Sequence, residues 1–182
     1  GSSALSGGVI WVPANPLQAA LGIRDSVEDG LRYLEQITAG SPTTEKLITY
    51  LRNAPRLMSL LAESSRLRSQ CLPSDPDNSP EPEGGRPGAR SCEPAIFDAL
   101  ELGDELERMR LLPRDRLILN GRLHMMAAQG KPMLEGGWQA IWILLRSLFA
   151  YYTNFRARLK GINRNTNFTL GAALIGSLRR SL

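Results

Sequence analysis

The stretch from Met133 to Leu159 limits the possible folds more than any other part of the chain. Trp138, Ile141, Trp142, Leu145, Leu148, Phe149, Tyr152 and Phe155 recur at helical spacing over a broad face. Ala140, Ile143, Leu144 and Tyr151 make much of the other side apolar too. A helix that is apolar nearly all round is either wrapped by other elements or immersed in lipid. Arg146 interrupts the run before it reaches the roughly 18 apolar residues that a membrane span needs. The expectation is a central helix in a bundle, with the rest of the chain arranged to cover it.

The other segments supply that cover as further helices. Asn15 with Pro16 behind it caps a short helix ending at Gly22. Asp25 and Glu28 make a capping-box pair for a helix with Val27, Leu31 and Leu34 on one face, stopping at Ala39-Gly40. Ser41-Pro42 opens the next, whose Leu47, Leu51, Ala54, Met58 and Leu61 share one stripe. Pro55 predicts a kink or break near Ala54, with the pattern resuming to about Gln70. Pro94 starts a helix with the stripe Ala95, Ala99, Leu102, Leu106 and Met109, ended by Pro113. Leu119, Leu123 and Met126 align over 114–129, and Asn165 or Thr166 opens a last helix through Leu174, Ile175 and Leu178. Val9 to Val12 has β character but is too isolated for a sheet, and reads as an arm that packs Trp11 onto the domain.

The expected fold class is therefore all-α: a helical bundle of about seven helices around a central hydrophobic helix, with one long disordered loop. That loop is 72–91, rich in proline and glycine and nearly free of large apolar groups, so it buries too little to offset its ordering entropy. Cys71 and Cys92 bracket it; the reading favours two reduced thiols over a disulfide. The layout is a single domain: an arm at 1–14, a first helical part at 15–71, the flexible loop at 72–92, and a second helical part at 93–182 ending in a basic hairpin. Apolar residues make up 42% of the 182, enough for a core without disulfides or metal. Gly1-Ser2 reads as a cloning scar, and no signal peptide is visible.

The formal charge of +4 hides an asymmetry. After Glu135 there is no Asp or Glu, while Arg146, Arg156, Arg158, Lys160, Arg164, Arg179 and Arg180 follow. Such a split suggests an acidic partner, or a basic face that balances the acidic half within the chain. Catalytic chemistry is not indicated. The lone histidine, His124, reads as a structural residue. Asp98, Glu101, Asp104, Glu105 and Glu107 fan round a helical surface rather than facing each other across a cleft. No glycine-rich phosphate loop, nucleophile elbow or metal-ligand cluster is present.

Two short segments carry a family resemblance. Leu102-Gly103-Asp104-Glu105-Leu106 resembles the BH3 motif of the Bcl-2 family of apoptosis regulators, an amphipathic helix whose apolar stripe fills a partner's groove. The resemblance implies Ala95, Ala99, Leu102 and Leu106 as anchors, with Met109 continuing the stripe, Gly103 as the small residue and Asp104 as the contact to a partner arginine. It departs at Ala99, where the family has leucine. Gly136-Gly137-Trp138 is similar to the opening of the family's BH1 segment, although Gln139 stands where glycine is expected and the following arginine is missing.

The functional expectation is thus a non-enzymatic interaction module, a Bcl-2-like regulator that recognises helices in grooves. Ala99, Leu102, Gly103, Asp104, Leu106, Met109 and Trp138 would meet the partner protein. Arg156, Arg158, Lys160, Arg164, Arg179 and Arg180 would meet an anionic membrane surface. The alternative is a nucleic-acid-binding or viral structural protein that uses the same acid-free tail. Neither reading calls for a small-molecule substrate, a cofactor or a metal. The expected location is intracellular and cytoplasmic, at the periphery of a membrane.

Overall fold

The computed structural model describes residues 2–39, 41–79, 82–113 and 117–181. The chain divides into two compact units. The first is Val9–Glu93; the second combines Gly1–Gly8 with Pro94–Leu182.

The first unit is built on a small sheet in the order β1 (Ile10–Trp11), β3 (Ser91–Pro94), β2 (Ser69–Cys71). Ile10 lies opposite Cys92 and Trp11 opposite Ser91, antiparallel. Three helices accompany it: α1 (Pro16–Ala20), α2 (Val27–Thr38) and α3 (Thr44–Ser64). The Asn15–Pro16 start forms as the sequence predicts. The Asn15 side chain accepts from Gln18 N at 2.9 Å, and the Gln18 side chain accepts from Asn15 N at 2.9 Å. The α2 cap is Ser26, whose hydroxyl accepts from Asp29 N at 3.0 Å. Asp25 is thereby free to turn inward. α3 runs unbroken through Pro55 and stops at Ser64, so neither the break near Ala54 nor the continuation to Gln70 is found. Leu47 and Leu51 on α3 and Tyr33 on α2 are buried.

The centre of this unit is ionic. The Arg90 side chain is 1% exposed. Its Nε and Nη2 donate to Asp25 at 2.8 Å each, and its Nη1 donates to Asp77 Oδ2 at 2.9 Å. Its guanidinium carbon sits 5.5 Å from the Trp11 ring centre and 5.7 Å from that of Tyr33. Trp11 Nε1 donates to Asp77 Oδ1 at 2.6 Å. Burial pushes the Asp25 carboxyl upward, but Arg90, the Ala14 backbone N–H and Gln18 outweigh it and hold Asp25 at about 2.

The expectation of a disordered loop is corrected here. Leu72, Asp77, Ala89, Arg90 and Ser91 are all buried. What orders the segment is hydrogen bonding and paired charge rather than apolar bulk, which the compositional argument does not count. Both cysteines are free thiols. Burial, with Cys71 nearby, pushes Cys92 up to about 12.

In the second unit a 3-10 turn at Ser2–Leu5 packs on α7 (Leu170–Arg179). β4 (Phe97–Asp98) pairs antiparallel with β5 (Asn167–Phe168), Phe97 opposite Phe168. Between these strands come 3-10 helices at Ala99–Arg108, Ile118–Gly121 and Ala127–Gln129, then α4 (Gly130–Glu135), α5 (Gly137–Thr153) and α6 (Phe155–Leu159). The core is Ala4, Phe97, Ala99, Leu102, Met109, Phe168 and Ala173. Two glycines make the turn-to-helix contact. A Cβ on Gly171 would lie 2.2 Å from the Ser3 carbonyl, and one on Gly8 (φ +67°) would lie 2.4 Å from the Leu170 carbonyl carbon.

The all-α expectation is overturned by these two sheets. Their strands are two to four residues long and pair across long sequence separations, so no local alternation announces them. The expected helix at 95–112 is a 3-10 segment broken at Gly103 (φ 56°, ψ −129°). The expected helix over 114–129 includes Arg114–Arg116, which lie outside the described residues; 3-10 turns occupy part of the remainder. The expected central rod is also overturned. α5 buries Ala140, Ser147 and Tyr151, while Trp138, Trp142, Leu145, Phe149 and Tyr152 are exposed.

Candidate functional site

The inner face of α5 leads to a polar cluster of the second unit that borders a cavity. Ser147 is buried in the middle of the apolar helix. Its hydroxyl accepts from His124 N at 2.9 Å and lies 3.1 Å from His124 Nδ1. Asn165 completes the group. Its backbone N–H donates to the Gly121 carbonyl at 2.7 Å, which ties the residues before β5 to the turn before His124. Its side-chain Nδ2 donates to His124 Nδ1 at 2.8 Å and to the Arg122 carbonyl at 3.0 Å. An amide N–H on Nδ1 requires a lone pair there, so the ring proton sits on Nε2. Burial first, then the charge of Arg146, pushes the imidazole below its ordinary value. His124 is a neutral hydrogen-bond donor at neutral pH.

His124 and Asn165 lie in the wall of a cavity of about 270 Å³. The rest of that wall is largely apolar and includes Leu5, Leu111, Leu117, Ile118, Leu123, Phe168 and Leu170. Leu170 has φ 55°, a left-handed conformation that a branched side chain adopts at a cost of about 1 kcal/mol or more. The close approach of Gly8 and the bond from Gly171 N to the Ser6 carbonyl (3.0 Å) hold it there. Concave, mostly apolar and supplied with a few placed polar groups, the cavity has the make-up of a small-molecule site. Ser147 Oγ and Asn165 Nδ2 meet the same ring nitrogen, Nδ1, so the three side chains are not strung across the two nitrogens of the ring as a nucleophile, base and orienting group are. Among the described residues no group of histidine, cysteine and carboxylates is placed to hold a metal.

The partner-binding residues expected from sequence fall elsewhere. Ala99, Leu102 and Met109 are core residues, and Leu106 packs against that core. Gly103 is the exposed kink and Asp104 is exposed beside it. Trp138 is exposed on α5 and is not part of that cluster. A stripe facing its own core cannot also fill a partner's groove.

The basic set divides. Arg156, Lys160 and Arg180 are exposed. Arg179 Nε donates to Glu105 at 2.6 Å. Arg158 lies 4.0 Å over the Tyr151 ring and donates to the Arg164 carbonyl at 3.0 Å. Arg164 is half-buried in the cavity wall. Ser147 is the residue that sequence reading missed. Its signal was a small polar group alone in an apolar helix, which marks the side that meets a polar neighbour.

What the chain is similar to is a class of oxidoreductase, the dehydrogenases of ketosteroids. It is 30% identical over 179 residues to a 3-oxosteroid 1-dehydrogenase of Comamonas testosteroni, a match covering 98% of this chain and 31% of that protein. A 3-oxosteroid 1-dehydrogenase of Mycolicibacterium smegmatis is 37% identical over 107 residues, 59% of this chain and 19% of the relative. The crystal structure of 3-ketosteroid delta1-dehydrogenase from Sterolibacterium denitrificans, in complex with 1,4-androstadiene-3,17-dione, superposes with a TM-score of 0.91 at 31% identity. That match covers 100% of this chain and 32% of the other. The chain thus spans about a third of the length of the full-length relatives it matches. No family profile matches it.

These matches overturn the Bcl-2 reading and its alternative together. The resemblance rested on a dozen residues; the match to ketosteroid dehydrogenases runs the length of the chain. Apoptosis regulation by groove binding and nucleic-acid binding are both withdrawn. So are the expectations of a non-enzymatic module and of no small-molecule substrate, since the matched proteins are named for dehydrogenation of steroids. The LGDEL and GGW segments are short enough to arise by chance in a chain with 17 glycines.

Proposed function

We propose that this chain is part of an oxidoreductase that introduces a C1–C2 double bond into 3-ketosteroids. The observation that carries the reading is the superposition of the whole chain, at a TM-score of 0.91 and 31% identity, on a ketosteroid dehydrogenase. The chemistry balances simply. A hydrogen on C2, acidified by the C3 ketone, leaves as a proton; a hydrogen on C1 leaves with its electron pair as hydride to a two-electron acceptor; the electron pair of the broken C2–H bond becomes the C1–C2 π bond.

The described residues offer no strand–glycine-rich turn–helix cradle for a dinucleotide, so the acceptor's site is not assigned to this chain. What these residues offer is the apolar cavity with the neutral His124 in its wall. There the cavity would receive the apolar ring system, and an imidazole N–H could hydrogen-bond a ketone oxygen without burying a charge. No described helix is long and apolar enough to cross a membrane. We place the reaction in the cytoplasm, at the periphery of a membrane, where such apolar substrates partition.

The test is turnover of the 1,2-dihydro form of 1,4-androstadiene-3,17-dione by the whole protein, with an artificial electron acceptor. Steroid-dependent reduction of the acceptor and appearance of the 1,4-diene are expected. Absence of both refutes the activity. A His124→Gln protein separates the cavity from the activity: an unchanged KM would remove the cavity from the reading and leave the reaction standing.

A further inference from the structure

We infer that Asn165 is a positioning residue: its carboxamide locks His124 in one tautomer, and that tautomer makes the cavity take a carbonyl oxygen in preference to a hydroxyl. The amide has only one workable orientation. Its Oδ1 accepts from the backbone N–H of Asn167 at 3.0 Å, a group that can only donate. Its Nδ2 donates to the Arg122 carbonyl at 3.0 Å and to the Ser147 carbonyl at 3.3 Å, groups that can only accept. Turning the amide over would set oxygen against two carbonyls and N–H against N–H. The Nδ2 that stands 2.8 Å from His124 Nδ1 is therefore a donor, and Nδ1 carries a lone pair. Asn165 is itself buried, and its backbone N–H on the Gly121 carbonyl fixes it against the turn before His124.

The ring proton is thus confined to Nε2. Nδ1 faces the buried Ser147 and Asn165, so the edge that His124 turns to the cavity carries Nε2. Among the described residues nothing bonds Nε2, and it is not shut away from solvent. Burial and the charge of Arg146 keep the ring neutral, so it presents one donor and no acceptor. A ketone oxygen satisfies that donor and brings no proton of its own. An alcohol can accept the same bond, but its O–H then meets a wall of Leu111, Leu117, Leu123 and Phe168. A buried donor without a partner is costly. Without Asn165 the Ser147 hydroxyl, which both gives and takes a proton bond, would leave either tautomer open. Assigning the carbonyl to the 3-ketone of a steroid rests on the proposed activity; the tautomer and the preference for a carbonyl do not.

His124 is the sole histidine, so the whole protein labelled with nitrogen-15 shows a single imidazole. At pH 8 a long-range proton–nitrogen spectrum should place the proton on Nε2 and none on Nδ1. A proton on Nδ1, or averaging between the two nitrogens, overturns the inference. Binding is then measured without an electron acceptor, using androstan-3-one and androstan-3-ol, which carry no other oxygen. The ketone should bind at least about tenfold more tightly and shift the Nε2 proton. Asn165→Leu should average the tautomers and bring the two affinities within about threefold. Equal affinities in the native protein, ketone binding that leaves Nε2 unmoved, or a preference kept in Asn165→Leu overturns the inference. So does failure of both steroids to bind. The native spectrum and the native affinity ratio need no variant, so both stand even if Asn165→Leu misfolds. Turnover measured in parallel separates the two readings. Turnover with an indifferent Nε2 removes the role of Asn165 alone. Absence of turnover with the tautomer and the preference intact removes the activity alone.

Discussion

Replacing Arg90 by methionine tests what holds the first unit together. The change keeps most of the stem and removes a guanidinium that makes three hydrogen bonds to two carboxylates with almost no water access. Asp25 and Asp77 are then left buried without their cation. Removing one partner of a buried pair costs about 3–5 kcal/mol, a large share of the roughly 5–15 kcal/mol that keeps a domain folded. The pH dependence sharpens the test. In the native protein the Asp25 pKa is depressed from 3.8 to about 2. Its contribution, about 2 kcal/mol, is therefore complete above pH 3.8 and lost as pH falls toward 2. Without Arg90 the strongest opposition to burial is gone and only the Ala14 N–H, Gln18 and Arg86 still favour the Asp25 carboxylate, so the variant should lose less stability on acidification than the native protein. Urea unfolding followed by circular dichroism at several pH values measures both effects. A loss under about 1 kcal/mol at pH 7, with the native pH dependence unchanged, would refute the ionic core. Adding Asp25→Asn to Arg90→Met should recover part of the loss, since an amide is cheaper to bury than an unpaired charge.

Three further outcomes are expected. His124 is the sole histidine, and burial followed by the charge of Arg146 depresses its pKa. The stability this reflects is full above about pH 6.5 and falls as pH drops below it. His124→Asn should flatten the thermal-melting profile between pH 7 and 5, and an unchanged slope would show the ring is not buried as described. Gly171→Ala drives a Cβ to 2.2 Å from the Ser3 carbonyl. Separation of the Ser2–Leu5 turn from α7 should cost about 1–3 kcal/mol, read as a lowered urea midpoint; a variant as stable as the parent would deny the contact. Cys92, pushed up to about 12 by burial and Cys71, should resist alkylation in the folded protein at pH 8 and react only after denaturation. Rapid native labelling at that position would contradict its burial.

Some of this fold was legible from residue order alone, where the determinant is local. The Asn15–Pro16 start, the helix over Val27–Thr38 and the buried Leu47–Leu51 stripe depend on caps and spacing within a few residues, and they formed. The strands did not show, because a two-residue strand such as Ile10–Trp11 exists only through its partner at Ser91–Cys92. The segment 72–91 misled for a related reason. Its low apolar content is real, but Arg90 within it is buried against Asp25 and Asp77 and ties the segment to the rest of its unit.

The α5 helix shows where periodicity itself runs out. Its moment is weak because apolar residues surround it, so composition cannot say which side meets protein. Counting bulk picks the side with two tryptophans, a phenylalanine and a tyrosine as the core. Yet a side chain is placed by what its neighbours require, and the neighbour here is polar: His124 needs a small hydrogen-bonding partner, which the Ser147 hydroxyl provides, while Asn165 donates to the Ser147 backbone carbonyl. Around that contact only Ala140 and Tyr151 fit close packing, and Tyr151 in turn accepts the Arg158 guanidinium on its ring. The large aromatics are displaced outward by default, and the acid-free stretch that follows sets cations among them. One serine thus fixes both the wall of the cavity and the direction in which the apolar stripe faces. Ser147→Val, which keeps the volume but removes the hydroxyl, should loosen His124 and let Trp138 and Trp142 turn inward, seen as a blue shift of their emission. An unchanged emission would show that the hydroxyl contact does not orient the helix.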